Sequence, residues 1–540
     1  MLLVILFIAV IYLGTLATAP SMRKAGVESS KIYMPFVNTW ELVKLTGRPT
    51  YQAVLVYLPI FNFFLLFSFL TDLSRSFGQN TFGDYFKAMV IPMIHFKKIA
   101  VHNYIGKTTD LPKHQKSAVR EWADSIVFAV LAATLIRWST FEAFMIPTSS
   151  MEGTLMVGDY LFVSKIHYGP RSPITPLQVP LTHQNIWFTG NAEGTNGISS
   201  YLDWIELPYF RFPGLTEIER NDIVVFNFPW DNGKDVIPNL DFTIKNELRP
   251  TDLKTNYVKR CVALPGDTLE VRDKDIFING ENSNIEGVLQ YQHTVKLNKK
   301  AFGLENKNKV IQLVKPKESP FTVGEEQLSH VDSVNQKLLD ICDELNIRTE
   351  EERKFFYPGR IVSFVFNFRK ATFDLSQFTA NMTLEEAKKL EALEEISSVD
   401  RDLFKTPTTR LYPSEKAWTQ NIYGPLVIPK KGMTFKVTPE RLIMYEKALV
   451  YFEGDDIRIS DDNQRLYVNR KQVSEYTFKQ NYYYMIGDNR NGSYDSRFWA
   501  FVPEDHIVGT PLLVWLSVED TPNKSFFERI RWNRIFTWVR

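Results

Sequence analysis

Long apolar runs are concentrated in the first 144 residues of the chain. Residues 2–19 (LLVILFIAVIYLGTLATA) carry no charge over 18 positions, and residues 51–71 (YQAVLVYLPIFNFFLLFSFLT) carry none over 21. Residues 122–144 are also apolar, although Asp124 and Arg137 interrupt the run near its ends. A helix of about 20 such residues, rising about 1.5 Å each, spans a hydrocarbon core of about 30 Å. The pattern predicts three membrane-spanning helices, with two or four as open alternatives.

The basic residues around these runs predict their orientation. Eight lysines and arginines lie between positions 75 and 120, which is typical of a cytoplasmic loop. The third span would then place everything after about residue 144 outside the cytoplasm. The loop 20–50 is also basic, so its side of the membrane stays open. Residues 2–19 also resemble a cleaved signal peptide, but no Lys or Arg precedes the run, which favours an uncleaved helix.

Beyond residue 144 the pattern changes to short stretches in which apolar and polar residues alternate. Such stretches predict β-strands at 159–168, 221–229, 256–265, 268–281 and 464–473. Asn279-Gly280 is a typical tight-turn pair. Helical spacing instead predicts helices at 333–346, 382–396 and 438–452, of which the second opens with Thr383 and Glu386 in the spacing of a capping box.

These patterns predict N-terminal transmembrane α-helices followed by a mainly β domain with large α+β insertions. The tail 521–540 is basic and aromatic, and both a membrane-surface contact and a solvated tail are open for it. The predicted parts are a membrane region (1–121), a membrane span (122–144), the first part of the β core (145–280, with an insertion at about 170–218), a large inserted α+β region (281–478), the last part of the core (479–520) and the tail (521–540).

Composition excludes several classes of function. The 63 Lys+Arg nearly balance the 62 Asp+Glu, so no global charge favours nucleic acid as a partner. The two cysteines, Cys261 and Cys342, are too few for a disulfide framework, and the chain has no CxxC or HExxH motif for zinc. We therefore expect no structural zinc site.

Candidate chemistry begins at residues 145–165, MIPTSSMEGTLMVGDYLFVSK. Ser149 and Ser150 are candidate nucleophiles, but a serine hydroxyl needs a base to react at neutral pH. Five histidines follow residue 144, and none lies in a motif typical of a catalytic triad. Asp505 and His506 are neighbours in sequence, and we expect this to be the wrong geometry for a carboxylate that orients an imidazole. The histidines are therefore interpreted as surface or packed residues.

Lysine is the other candidate base, provided that its pKa is lowered. Lys259 lies in residues 255–271, TNYVKRCVALPGDTLEV, between apolar neighbours. Burial of its amine on a strand would lower the pKa by up to 3–5 units. Taken alone, Lys259 also fits an ordinary surface lysine. A third stretch, residues 484–509 (YMIGDNRNGSYDSRFWAFVPEDHIVG), fits a turn held by an ion pair between Asp495 and Arg497.

Together and in this order, these stretches resemble the type I signal peptidases, which are membrane-bound serine–lysine proteases. The resemblance rests on IPTSSMEGTLMVGDYLFVSK, RNDIVVFNFP, YVKRCVALPGDTLEV and GDNRNGSYDSRFWAFVPEDHIVG. The long insertions and the segments GPLVIPKKGMTF and YTFKQNYYYMIGDNR resemble the large variants found in Bacteroidota.

The resemblance implies a catalytic role for several residues. Ser150 matches the nucleophile and Lys259 the general base. Thr148 falls where many members have a serine that helps to hold the oxyanion, together with the backbone N–H of Ser150. Ser149 falls where most members have glycine and is interpreted as a spacer. Ser493 matches a serine that orients the lysine amine.

Further residues are implied in supporting roles. Asp495 and Arg497 match a structural pair near the site. The apolar residues Phe144, Ile146 and Val258 are expected to line shallow pockets for the small substrate residues before the cut. The alternative, that these three are only core, stays open.

The implied function is that of a signal peptidase I, a serine endopeptidase that removes N-terminal signal peptides from exported preproteins after small residues. The resemblance implies that this reaction needs no metal and no organic cofactor. The expected location is the bacterial cytoplasmic membrane, with the catalytic domain on the periplasmic face. Expected partners are preproteins, the lipid bilayer and, by proximity, the export machinery, without nucleic acid. The alternatives are a serine–lysine protease with another exported substrate, an inactive membrane scaffold and, less in keeping with the apolar runs, a soluble self-cleaving repressor.

Overall fold

The chain separates into two compact units, Met1–Leu135 and Ile136–Arg540. The computed structural model describes residues 11–57, 62–111, 118–186, 198–204, 206–230, 249–283, 288–301, 310–312, 336–341, 363–367, 372–401, 411–519 and 525–539.

The first unit is built from short helices around its own apolar core. Large side chains such as Leu42, Phe69, Phe77 and Phe96 are buried in this core. Gly47, in the left-handed conformation, ends one of the helices. The helices bounded in this unit are Ala19–Lys24, Ser29–Tyr33, Val37–Thr46, Gln52–Leu55, Asn62–Arg75, Phe82–Val90 and Pro92–Ile99.

The predicted membrane spans are not confirmed. Within the described ranges, no helix combines the length and the apolarity that crossing a membrane requires. The predicted spans 2–19 and 51–71 lie partly outside the described residues. The helix Ala118–Ser139 covers most of the predicted span 122–144, but the last residues of that span form a strand. Phe141–Met145 is a strand and not a helix because it pairs with a neighbouring strand. Its residues alternate between exposed and partly buried, as expected of a strand at the edge of a sheet.

The second unit is mainly β, as predicted. Its strands, in chain order, are β1 Phe141–Met145, β2 Asp159–Ser164, β3 Ile223–Asn227, β4 Asn256–Ala263, β5 Thr268–Arg272, β6 Asp275–Ile278, β7 Glu281–Asn282, β8 Tyr291–Leu297, β9 Val310–Gln312, β10 Ser363–Asn367, β11 Thr372–Met382, β12 Ile396–Arg401, β13 Ile422–Val427, β14 Thr434–Lys436, β15 Ile457–Ile459, β16 Leu466–Val468, β17 Lys471–Val473, β18 Glu475–Thr477, β19 Tyr482–Ile486, β20 Val502–Pro503, β21 Ile507–Ser517 and β22 Thr537–Trp538.

An eight-stranded antiparallel sheet carries the residues singled out in the sequence. Its order is β1-β2-β21-β3-β4-β19-β20, with β22 paired to β21. Strands that are distant in sequence are thus neighbours in space, because β19–β21 lie beside β2–β4. The other described strands form a sheet of order β10-β11-β8-β12 with β9 on β11, a sheet of order β13-β5-β6-β7, the pair β14-β18 and the sheet β15-β16-β17.

Local sequence signals explain several elements. Asn279 and Gly280 both have positive φ (53° and 89°) and join β6 to β7, as expected of a tight hairpin turn. Thr383 and Glu386 form the predicted capping box at the start of the helix Leu384–Glu391. The predicted helix 438–452 is observed as Pro439–Phe452. Of the predicted helix 333–346, residues 336–341 are described and helical.

The last part of the predicted insertion shares an apolar core with strands on either side of it in the chain. Leu426 on β13 packs in one apolar cluster with Leu269 on β5 and Tyr484 on β19, and β13 pairs with β5. The same cluster includes Leu442 and Leu449 of the helix Pro439–Phe452. The domain boundaries at 280 and 478 stay predictions.

Candidate active site

Ser150 lies just beyond the edge strand β1, in the 3₁₀ turn Ser149–Met151. Its side chain is 8 % exposed. Met151 is completely buried and packs in a cluster with Ile146 and Leu155. This apolar contact on both sides of Ser150 holds the turn against the sheet, so the hydroxyl has a defined position.

Lys259 lies in the middle of β4 and is 4 % exposed. Its neighbour across the sheet is Val224 on β3. The amine Nζ donates to Ser150 Oγ at 2.7 Å and to the carbonyl oxygen of Val258 at 2.9 Å. The fold thus brings the two residues together across 109 positions of sequence.

Burial changes the acid–base behaviour of this amine. It lowers the pKa of Lys259 to about 8, while the negative charges of Asp495 and Asp488 act in the opposite direction and limit the fall. A lysine with this pKa is partly neutral near pH 7–8. It can therefore accept a proton from the serine hydroxyl that it contacts.

Asn489 holds the turn Ser149–Met151, a role that the sequence reasoning missed. Its backbone N–H donates to the carbonyl oxygen of Ser150 at 3.2 Å. Its side-chain Nδ2 donates to the carbonyl oxygen of Ser149 at 3.3 Å, and its Oδ1 accepts from the N–H of Gly492 at 3.0 Å. Asn489 lies in the stretch GDNRNGSYDSR, which the sequence analysis singled out. Its contact with the turn that carries Ser150, however, depends on the fold.

Gly487 allows this close approach. A Cβ atom at this position would collide with the hydroxyl of Ser493 and with the carbonyl oxygen of Ser150. The segment after β19 can therefore pass directly against the turn that carries Ser150 only because position 487 has no side chain.

A buried ion pair that was not predicted links β4 to the same segment. Arg260 Nε and Nη2 donate to Asp488 Oδ1 and Oδ2, both at 2.7 Å. Thr154, four residues after Ser150, donates to Asp488 Oδ2 at 2.6 Å. Since Arg260 follows Lys259, this pair ties the strand of the candidate base to the loop after Ser150.

Asp495 and Arg497 form a second buried pair, in agreement with the predicted contact. Arg497 Nε and Nη2 donate to Asp495 Oδ1 and Oδ2 at 2.8 Å each. Burial alone would raise the pKa of Asp495, but Arg497, the hydroxyl of Ser493 and the N–H of Gly487 hold it below its ordinary value. Asp495 also caps the helix Ser496–Trp499 by accepting from the N–H of Arg497.

Ser493 makes no described hydrogen bond with the Lys259 amine, and its orienting role stays a prediction. It is buried beside Gly487 and close to Asp495. Among the described residues, however, the hydrogen-bond partners of the Lys259 amine are Ser150 and Val258. In this structure the carbonyl of Val258, and not the hydroxyl of Ser493, makes the second contact with the amine.

The remaining predicted residues lie around Ser150. Thr148 is exposed and extended, directly before the 3₁₀ turn. Ile146 is buried, whereas Phe144 and Val258 are partly buried and pack against the same apolar cluster. The burial of Ile146 agrees with the core alternative, while Phe144 and Val258 keep a surface that a substrate could contact.

The expectation about Asp505 and His506 is wrong. His506 Nδ1 lies 2.6 Å from Asp505 Oδ1, because the two residues share the 3₁₀ turn Glu504–His506. The imidazole is buried, and its burial lowers its pKa despite the carboxylate beside it. Its other neighbours are Lys254 and Phe452, so it packs away from the serine turn.

Over the described residues 525–539, the C-terminal tail makes hydrogen bonds with the rest of the second unit. Arg534 donates to Asp159 Oδ1 and Oδ2 at 3.1 and 2.6 Å, and to the carbonyl oxygen of Thr154 at 3.0 Å. Strand β22 pairs with β21. Most of these residues are nevertheless exposed, so a solvated tail and a contact with a membrane surface both stay predictions.

Comparison with known proteins agrees with this geometry. Residues 119–338 and 475–516 match the family described as signal peptidase, peptidase S26. Over these residues the chain belongs to the signal peptidase family. Its activity is that of a serine endopeptidase that removes signal peptides. Residues 31–107 match a further family, whose description is a family of unknown function (DUF5684).

Curated relatives cover different shares of the chain. It is 28 % identical over 242 residues to signal peptidase I P of Bacillus subtilis subsp. natto, which is 45 % of this chain and 91 % of the relative. It is 31 % identical over 164 residues to signal peptidase I of Rickettsia massiliae (strain Mtu5), 30 % of this chain and 44 % of the relative. With signal peptidase I of Buchnera aphidicola subsp. Schizaphis graminum it shares 23 % identity over 392 residues, 72 % of each chain.

The family match does not cover residues 339–474. This gap overlaps the predicted insertion 281–478 but begins later. The part of the predicted insertion nearest to β7 thus falls within the family match.

Proposed function

We propose that this chain removes signal peptides with Ser150 as nucleophile and Lys259 as general base. The observation that carries the proposal is the 2.7 Å contact between Lys259 Nζ and Ser150 Oγ, with both side chains buried. Desolvation lowers the lysine pKa to about 8, so the neutral amine that catalysis needs is accessible near neutral pH.

The proposed reaction has two stages. Neutral Lys259 takes the proton of Ser150 as Oγ attacks the peptide carbonyl, and the protonated lysine then passes this proton to the leaving amine as the C–N bond breaks. In the second stage the same amine deprotonates a water, which attacks the acyl-enzyme, and the proton returns to Ser150 Oγ. The hydroxyl of Thr148 and the N–H of Ser150 are proposed to stabilise the oxyanion, at about 3 kcal/mol for each donor.

The proposed supporting residues keep these groups in place. Asn489 fixes the carbonyl of Ser150, and the pair of Asp495 and Arg497 stabilises the segment that carries Ser493. We propose that Ser493 acts by positioning this segment, and that Phe144 and Val258 contribute to the pockets for small substrate residues.

We further propose that the enzyme works at the outer face of the bacterial cytoplasmic membrane. The charge-free runs at 2–19 and 51–71 and the apolar run at 122–144 support membrane attachment. The basic loop between the second and third runs supports a periplasmic catalytic unit. In this position the site would meet preproteins as they leave the export machinery.

A paired serine experiment tests the proposal. The full chain in detergent should cleave a preprotein after the small residue at its signal junction. Ser150→Ala should lower the rate by about 10⁴-fold or more, because the acyl-enzyme can no longer form. Ser149→Ala is the matched control, since the substitution leaves the carbonyl that Asn489 contacts, and it should cleave at close to the wild-type rate. Retained cleavage in Ser150→Ala would exclude this serine as the nucleophile.

The pH dependence of cleavage tests the base. Because the neutral form of Lys259 is the active one and its pKa is about 8, kcat/KM should rise nearly tenfold per pH unit below pH 7.5 and level off above about pH 8.5. The measurement uses a substrate without titratable side chains near the cut. Ser149→Ala should give the same profile, and a rate independent of pH between 6 and 9 would contradict the assignment.

A further inference from the structure

A small cavity lies beside the segment that supports the nucleophile turn, between the β5–β6 hairpin and the start of β13. It has room for about one water-sized occupant. Three cationic and three amide side chains line it: Lys274, Arg490, Arg497, Gln420, Asn421 and Asn491. The catalytic scheme uses none of the cavity's cationic groups as an acid or base.

Arg490 gives the cavity an uncompensated positive charge. It is 6 % exposed, and its Nε has no hydrogen-bond partner within the described part of the chain. The carboxylates that act on it are those of Asp488 and Asp495. Each is already bound through both oxygens by another arginine, Arg260 or Arg497. A buried charge in this situation is costly unless a counter-charge accompanies it.

The other lining groups favour a negative occupant. Lys274 is buried in the turn between β5 and β6 and brings a second cation to the cavity. The Oδ1 of Asn491 accepts from the backbone N–H of Gln292 at 3.1 Å, which leaves its amide NH₂ as a donor. The side-chain amide of Gln420 can also present its NH₂, since O and N of such a group are interchangeable by rotation.

We propose that this cavity binds one small monovalent anion of halide size. The anion would accept from Arg490 Nε and compensate the buried charge of Arg490. The backbone N–H of Arg490 donates to Gln290, and the carbonyl of Arg490 accepts from Arg497 Nη2. The preceding residue, Asn489, holds the carbonyl of Ser150. Anion binding would therefore stabilise the segment that positions the nucleophile.

Solution measurements with chloride test the proposal on the full chain in detergent. The ³⁵Cl resonance should show excess linewidth that saturates with chloride concentration and is removed by bromide. At equal ionic strength, the thermal midpoint should be about 1–3 °C higher in chloride than in gluconate. Equal midpoints together with no saturable linewidth would mean that the cavity holds a water molecule, and would overturn the proposal.

Charge-removing variants locate the effect. Arg490→Gln should abolish both the excess linewidth and the difference between the two salts. Arg470→Gln removes an arginine whose side chain is 88 % exposed and should leave both unchanged. If Arg490→Gln does not fold, Lys274→Met serves as the second variant and should weaken chloride binding at least fivefold. Wild-type chloride binding in both variants would overturn the assignment. Since no measurement uses proteolysis, the result is independent of the proposed catalytic roles.

Discussion

Lys259→Met is expected to abolish cleavage and, at neutral pH, to raise the free energy of unfolding by roughly 3 kcal/mol. The loss of activity, about 10⁴-fold or more, follows from removal of the base. The gain in stability follows from burial. At neutral pH most of the protein carries a charged amine at this buried position, whereas methionine occupies a similar volume without a charge to desolvate.

The pH dependence of this gain has a defined sign. In the unfolded chain Lys259 has the ordinary lysine pKa of about 10.4, whereas in the folded protein its pKa is about 8. Between these values the unfolded state binds more protons, so wild-type stability rises with pH in this window. The advantage of Lys259→Met should be largest below pH 8 and should vanish above about pH 10.5.

Urea unfolding at pH 7 and pH 10, followed by tryptophan fluorescence, measures this difference. Lys296→Met is a control at a lysine whose side chain is 54 % exposed. Because no buried charge is removed there, this substitution should leave stability nearly unchanged at both pH values. A loss of stability in Lys259→Met at pH 7 would contradict the proposed cost of burying this amine.

Asp488→Ala is expected to lower the free energy of unfolding by about 3–5 kcal/mol. The substitution leaves Arg260 buried without the carboxylate that accepts from its Nε and Nη2. It also removes the acceptor of the Thr154 hydroxyl. Since these contacts connect the strand of Lys259 with the loop after Ser150, kcat should fall as well. Urea unfolding and single-turnover cleavage measure the two effects.

A double substitution distinguishes the cost of leaving Arg260 buried without a counter-charge from the cost of losing the hydrogen bonds of Asp488. Arg260→Met combined with Asp488→Leu removes both charges and replaces them with apolar groups. It should cost less stability than Asp488→Ala alone, because no unpaired charge remains buried. If the double variant is the less stable of the two, the uncompensated charge of Arg260 is not the cause of the loss.

The sequence predicted the strands that carry the site and the two residues in contact there. Alternation identified β2, β3 and β4, and turn chemistry identified the hairpin at Asn279. Ser150 and Lys259 came from a resemblance to a family and not from any local property of either residue. Asp505 and His506 were misjudged, because neighbours on a short 3₁₀ turn can direct their side chains toward each other.

Asn489 and Asp488 could not be assigned from the sequence, since their roles depend on which distant loop lies beside them. The contact of Arg534 with Asp159 likewise depends on the fold. The sequence pattern alone did not show whether any part of the tail contacts the rest of the protein. The second contact of Lys259 was also decided in three dimensions, where the carbonyl of Val258 lies within reach of the amine.

By itself the sequence determined which segments alternate, which are continuously apolar and which residue types are available for chemistry, because these properties are local. Only the tertiary structure decided that a lysine 109 positions away meets the serine, since antiparallel pairing places β4 beside β19 and against the nucleophile turn. It also decided the pKa of that lysine. Desolvation depends on every group packed around the amine, and most of those groups are distant in sequence.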